Sequence, residues 1–291
     1  MTTDPAPDHA AIGPWPSPSG PSVGWHEQGG RHRYFDGARW WDENGPGPDR
    51  VCSTATAFGV RDAVSAVVVM LASLLAAQIT VVVLDPLDLP LAVLVGLLVV
   101  IGYGPPALWS VRLARRAAGP DAAAVLGWAW RWSDIGWGAL VWLSAVIAQV
   151  VVAVTLESAG VPLSSNTDGL DSSVPTGYLV ATALAAVIAA PLVEELVFRG
   201  VVQRALIGRL GVAAAIAVQA VVFGAVHANP AFGSGNIGLV AVLTVVGAAF
   251  GLGAHLTGRL GTSIVAHAIF NSVVLVLVLT GAADSAARLV G

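Results

Sequence analysis

Three short patterns in the C-terminal third of this chain combine residue types able to do chemistry. In Pro191-Leu-Val-Glu194-Glu195-Leu-Val-Phe-Arg199-Gly200, two carboxylates are adjacent and an arginine follows. Adjacent residues on a helix point about 100° apart. Glu195 and Arg199 are four apart, acid before base, and share a face. Glu195 is thereby neutralised by its own helix. Glu194 faces another direction with no local counter-charge, the kind of carboxylate that can take a proton. Phe223-Gly-Ala-Val-His227 places an aromatic ring and an imidazole on one helical face, and His267-Ala-Ile-Phe-Asn271 does the same for an imidazole and an amide. All of these groups can point into one cavity. The blander alternatives are that the glutamates meet water at a helix end and that each histidine is a satisfied packing residue. His255, which has no helical companion of this kind, reads as packing or interfacial. No serine, cysteine or threonine is read here as a covalent nucleophile.

The elements that must carry these residues are membrane helices. Of 291 residues, 56% are hydrophobic and 11% charged, and the mean hydropathy is +0.77. Soluble domains carry about 25% charged residues, and the apolar residues here come in blocks long enough to cross a bilayer, about 20 residues each. The expected spans are roughly 63–84, 89–110, 135–156, 176–198, 211–228, 236–257 and 261–281. The fold class is therefore an all-α polytopic membrane protein with seven transmembrane helices, or eight if one is missed. Ionisable groups are costly inside a bilayer. The first three spans hold no Asp, Glu, Arg or His in their interiors, whereas the last four hold Glu194, Glu195, Arg199, His227, His255 and His267. This segregation makes 63–156 a supporting region and 176–281 the functional one. Glu194 precedes Arg209 by fifteen residues and His227 follows it by eighteen, so a hairpin turning at Gly208-Arg209-Leu210-Gly211 brings both to similar depth. That arrangement requires the fourth helix to run past residue 198 towards 208.

All fourteen basic residues are arginines. All but Arg288 precede the first span or lie between spans two and three, four and five, and six and seven, while the loops 85–88, 157–175 and 229–235 hold none. The positive-inside rule then places the N-terminus in the cytoplasm, with Arg288 a mild exception. The basic, Trp-rich stretch 111–134 reads as an interfacial segment on the cytoplasmic surface. The N-terminal fifty residues contain no apolar stretch of the signal-peptide kind. Cys52 is the single cysteine, which excludes an intrachain disulfide and a cysteine metal site. Residues 1–21 are Pro- and Ser-rich and expected to be disordered. Residues 22–48 hold clustered aromatics cut by Gly29-Gly30 and Asp36-Gly37, the pattern of a small β-type module, and 49–62 form a linker. Trp25, Arg33-Tyr34-Phe35-Asp36-Gly37 and Trp40 resemble a short Trp-rich domain of unknown function from actinobacterial membrane proteins. That resemblance implies no chemistry; a docking or spacer role, with a protein partner, is the expectation.

The three patterns, in this order on successive helices, resemble the CPBP family of intramembrane proteases, also called the CAAX-protease and bacteriocin-processing (Abi) family, which includes the type II CAAX prenyl endopeptidases. The residues carrying the resemblance are Glu194-Glu195…Arg199, Phe223…His227 and His267…Asn271, together with the lead-in Gly251–His267. His255 departs from the pattern by standing where an aromatic is commoner. The resemblance covers about 176–281. It implies an intramembrane endopeptidase in which Glu194, helped by His227, activates water, while His267 and Asn271 stabilise the oxyanion. Glu195 and Arg199 would hold the helix in place and Phe223 would pack beside His227. The implied partners are a peptide or membrane-anchored protein substrate and the lipid bilayer, with no nucleic acid, in a bacterial plasma membrane.

A metal is a separate question. Glu194, His227 and His267 could form a His₂Glu zinc site. No His-Glu-x-x-His is present, and Asn271 suits an oxyanion donor better than a zinc ligand, so the expectation leans to no required cofactor over Zn²⁺. Two other functions use the same residues: a transporter or proton relay built on Glu194, His227 and His267, and a non-proteolytic immunity or scaffold protein. Against the first stands the absence of an internal repeat. Against the second stand the intact motif residues.

Overall fold

In a computed structural model of the protein, residues 24–28, 31–35, 40–42, 57–87, 89–165, 183–229 and 232–280 are described. The expected disorder of 1–21, Cys52, the loop acids Asp168 and Asp171, the first residues of the fourth span and Arg288 lie outside them. Two compact units divide the chain, Met1–Ser53 and Thr54–Gly291.

The first unit contains an antiparallel three-stranded sheet of β1 (Gly24–Gln28), β2 (Arg31–Phe35) and β3 (Trp40–Asp42), in that order. Its register pairs Trp25 with Tyr34 and Tyr34 with Trp41, so three aromatic positions align across the strands. Cross-strand aromatic pairs are the usual unit of stabilisation in so small a sheet.

The second unit is helical. It runs α1 (Val60–Leu84), α2 (Leu91–Ala118), the short α3 (Ala122–Leu126), α4 (Ser133–Ser158), α5 (183–210), α6 (Val212–Ala225), α7 (Gly235–Thr257) and α8 (Leu260–Leu279). Among the described residues five helices are long and apolar enough to cross a membrane, within α1, α2–α3, α4, α7 and α8. This is a multi-pass membrane protein. The other two expected spans are also helical but atypical. α5 carries the charged motif, and α6, with 14 residues, is about 21 Å long. α2 continues beyond the expected end at 110 and takes Arg112, Arg115 and Arg116 into its last turns. Pro105 and Pro106 lie inside this helix without ending it, and between residue 110 and Gly119-Pro120 the sequence holds no further breaker.

Packing follows from side-chain size. Ala63, Ala66, Met70 and Ala77 on α1 are buried, whereas Val64, Val68, Leu71, Leu75 and Ile79 form an exposed apolar stripe suited to lipid. α6 and α7 meet through small residues: a side chain at Gly224 would lie 2.5 Å from the Val240 carbonyl oxygen. Buried Asp134, at the start of α4, accepts from Arg259 Nη2 at 2.7 Å, Thr262 Oγ1 at 2.8 Å and the Arg131 backbone N–H at 2.7 Å. These bonds pin the α7–α8 turn to α4 and so set the depth of α8, which carries His267.

α5 does run on to Leu210, as the hairpin requires, and Gly211 makes the turn with φ +75°. It is interrupted by two π-helical stretches, Ala185–Ala189 and Leu196–Val202, a feature frequent at functional sites. The first has a local cause. The Ala190 N–H donates to the Ala185 carbonyl, so in the same register residue 191 should donate to Ala186. Residue 191 is proline and has no N–H. The Ala186 carbonyl is instead taken by Asn271 Nδ2 of α8 at 2.7 Å.

Candidate active site

The π-helical widening and the α5–α6 turn bring the three patterns together. The two glutamates separate as adjacent helical residues must. Glu195 is fully buried and faces α8. Its Oε1 accepts from Arg199 Nη1 at 2.8 Å and from His267 Nδ1 at 2.9 Å. The Arg199 guanidinium also donates to the Gly247 carbonyl at 2.9 Å, which Gln219 Nε2 shares at 3.0 Å. It lies 4.5 Å from the Phe223 ring centre and 5.6 Å from that of Phe250, so aromatic faces cover a charge removed from water. Gln203 Nε2 donates to the Gly251 carbonyl in the same way, one turn further along α7. Gly247 and Gly251 permit this approach: a Cβ on Gly247 would sit 2.9 Å from Phe223 Cδ1, and one on Gly251 2.7 Å from Gln203 Oε1. Arg199, Glu195 and His267 thus form one buried chain of charge-assisted bonds.

Glu194 faces the other way. Its Oε2 is buried, has no hydrogen-bond partner among the described residues, and lies 3.9 Å from both His227 Nε2 and His267 Nε2. The partners of the two Nδ1 atoms assign the tautomers. His227 Nδ1 lies 2.7 Å from the Phe223 carbonyl oxygen, which can only accept, so Nδ1 carries the hydrogen. His267 Nδ1 faces the Glu195 carboxylate, which likewise only accepts. In each neutral imidazole the Nε2 lone pair therefore points towards Glu194. His267 can donate from Nε2 only as the imidazolium, for which Glu195 is the counter-ion.

These atoms line a cavity of about 260 Å³. Its walls include Glu194, His227, His267 and Asn271, with Phe223, Phe250 and Phe270 as aromatic surfaces. Phe223 packs on His227 with ring centres 4.9 Å apart. One Asn271 amide hydrogen holds Ala186; the other remains for the cavity. His255 is exposed and stands outside this group. α1 and α2 close the opposite wall with Met70, Leu74 and Tyr103. Tyr103 is the one polar side chain they contribute, and sequence reasoning missed it. A tyrosine between Gly102 and Gly104 carries no motif, and only the packing of α2 against α5 puts it near Glu194. Phe250, Gln203 and Gln219 were missed for the same reason.

The donor set of two imidazole nitrogens and a carboxylate is one that zinc accepts, but the separations are not those of zinc ligands. Tetrahedral bonds of about 2.0–2.1 Å place ligand atoms about 3.3 Å apart, closer than the 3.9 Å here. Among the described residues, no group of three His, Cys, Asp or Glu is arranged to hold a metal ion. The spacing suits a hydrogen-bonded water, whose partners sit about 2.8 Å from its oxygen.

Comparison with known families bears on the C-terminal third. Residues 176–273 match the family model described as type II CAAX prenyl endopeptidase Rce1-like. This region is similar to an Rce1-like domain. It begins just ahead of α5, ends within α8 and contains every polar group of the cavity except Tyr103. Searches of curated proteins and of solved structures returned no match. The matched family is one of proteases, which act on peptide or protein substrates.

Proposed function

We propose that the chain is an intramembrane endopeptidase that hydrolyses a peptide bond near the membrane by direct attack of an activated water. The observation that carries this is the convergence of Glu194 Oε2 with the Nε2 atoms of His227 and His267 at 3.9 Å each. A water held between Glu194 and His227 loses a proton to Glu194 as its oxygen attacks the scissile carbonyl. The carbonyl oxygen becomes an oxyanion facing α8. There His267, held through Nδ1 by Glu195, donates from Nε2 in its protonated form, and Asn271 offers its second amide hydrogen. Stabilisation by preplaced donors in a water-poor cavity is the largest usual contribution to such a step. The proton on Glu194 then passes to the departing amine. No covalent intermediate and no required metal enter this sequence. Glu195 and Arg199 are positioning residues that hold His267, and Phe223 fixes the plane of His227.

A transporter or proton relay would use the same three titratable groups. The buried hydrogen-bond chain through Arg199 and the closed aromatic surround favour a fixed site over a relay. The N-terminus is proposed to lie in the cytoplasm, on the arginine distribution. The Trp-rich sheet is proposed to recruit a protein partner.

The decisive experiment uses purified full-length protein in lipid vesicles with a library of fluorogenic peptides. Wild-type protein cleaves at least one member, and Glu194→Ala and His267→Ala abolish that cleavage while keeping the wild-type elution profile. Wild-type turnover in both variants would overturn the assignment.

A further inference from the structure

A second concavity lies outside the matched region, on the outer face of the α1–α2 pair. It has a volume of about 680 Å³ and is lined by Val69, Pro105, Leu108, Trp109, Val111, Arg112, Arg115 and Arg116. Pro105, Leu108, Trp109, Arg112 and Arg116 recur at helical spacing and share one face of α2. Polarity changes along that face from wholly apolar at Pro105 to wholly basic at Arg116, over about 16 Å of helix.

The basic end is built. Trp109 Nε1 donates to Ser65 Oγ of α1 at 2.9 Å, which fixes the indole. The guanidinium carbons of Arg112 and Arg116 stand 5.9 Å and 5.7 Å from its ring centre. Arg115 completes the cluster. All three arginines are exposed, and among the described residues none has a carboxylate within ion-pair distance. Two like charges on one aromatic ring, with a third lining the same groove, repel one another unless an anion joins them. The apolar end is equally one-sided: Leu108 is 73% exposed on a helix long and apolar enough to span a membrane. Its natural neighbour there is an acyl chain.

We propose that this groove binds one anionic phospholipid, with its phosphate on Arg112, Arg115 and Arg116 and an acyl chain along Val69, Pro105 and Leu108. A headgroup anion and an apolar tail arranged in this order match the groove's change of polarity. Neither a soluble anion nor an uncharged lipid satisfies both ends. The bound lipid ties α1 to α2 on the face opposite Met70, Leu74 and Tyr103, and so supports the wall of the catalytic cavity.

The test uses full-length protein stripped of lipid in detergent and titrated with phosphatidylglycerol, phosphatidylcholine or glycerol 3-phosphate, read by native mass spectrometry and thermal unfolding. One phosphatidylglycerol per chain binds and raises the unfolding temperature, while the other two bind at least about tenfold more weakly. R112Q/R115Q/R116Q lowers phosphatidylglycerol affinity at least about tenfold, and R112K/R115K/R116K retains it within about threefold, as charge alone requires. R209Q, which removes an arginine at the end of α5, leaves it unchanged. Equal binding of phosphatidylcholine, equal binding of glycerol 3-phosphate, or full binding by the glutamine variant would each overturn the proposal.

Discussion

The two adjacent glutamates should differ in what the same conservative change does to stability. Glu194→Gln removes the proton acceptor and leaves the shape. A general base contributes about 10²- to 10⁴-fold in rate, so turnover should fall by that factor, about 3–5 kcal/mol of transition-state stabilisation. Stability should change by less than about 1 kcal/mol, because Glu194 Oε2 makes no hydrogen bond that could be lost. Glu195→Gln also leaves the shape but strips the buried Arg199 of its counter-ion and gives His267 a neutral amide acceptor in place of a carboxylate. Breaking a fully buried pair from one side costs about 3–5 kcal/mol. The Gly247 carbonyl and the Phe223 ring keep holding the guanidinium, so the lower end of that range is expected. Turnover should fall as well, since His267 loses the group that favours its charged form, and KM should stay near wild type. The assay pairs cleavage of a fluorogenic peptide in vesicles with equilibrium unfolding by an anionic detergent. If Glu194→Gln is as destabilised as Glu195→Gln, or if Glu195→Gln unfolds like wild type, the division of labour between the carboxylates is wrong.

Other outcomes follow from the same geometry. Asn271→Ala should cost about 1–3 kcal/mol by orphaning the Ala186 carbonyl. In a Pro191→Ala background, where a backbone N–H can take that carbonyl, the cost should largely vanish; equal costs in both backgrounds would refute the account of the π-helical turn. Tyr103→Phe removes the one hydroxyl that α1 and α2 place in the cavity. It should leave unfolding unchanged and alter kcat or KM for peptide, and identical kinetics would remove Tyr103 from the site. Prolonged treatment with a tight zinc chelator should leave turnover within about twofold of the untreated enzyme, since a required structural or catalytic zinc would be lost with its function. Activity abolished by the chelator and restored by stoichiometric zinc would reject the water-only mechanism.

The sequence was most informative where chemistry is local. A carboxylate, an arginine four residues later and a histidine–asparagine pair at the same spacing are legible because helical geometry is set by the backbone alone. Apolar blocks of bilayer length are legible for the same reason, since a helix in lipid must satisfy its own hydrogen bonds. Even the continuation of α5 past residue 198 could be inferred, by counting residues from Arg209 to Glu194 and to His227.

Contacts between helices could not be read this way. Arg259, read from sequence only as a marker of orientation, is bound to Asp134 across the unit. Glu195 was assigned to its own helix and turned out also to hold His267, 72 residues away. Asn271 was read only as an oxyanion donor and also closes the gap left by Pro191. Phe250, Gln219 and Tyr103 had no signature at all. The sequence by itself determined which side chains could carry the reaction and on which faces of which helices they lie. Tertiary structure alone decided how far apart they stand, which nitrogen of each histidine faces Glu194, and that Glu194 Oε2 has no hydrogen-bond partner among the described residues. Those properties depend on how closely two helices approach, and that is set by small residues such as Gly224, Gly247 and Gly251 meeting a neighbour that the local sequence does not specify.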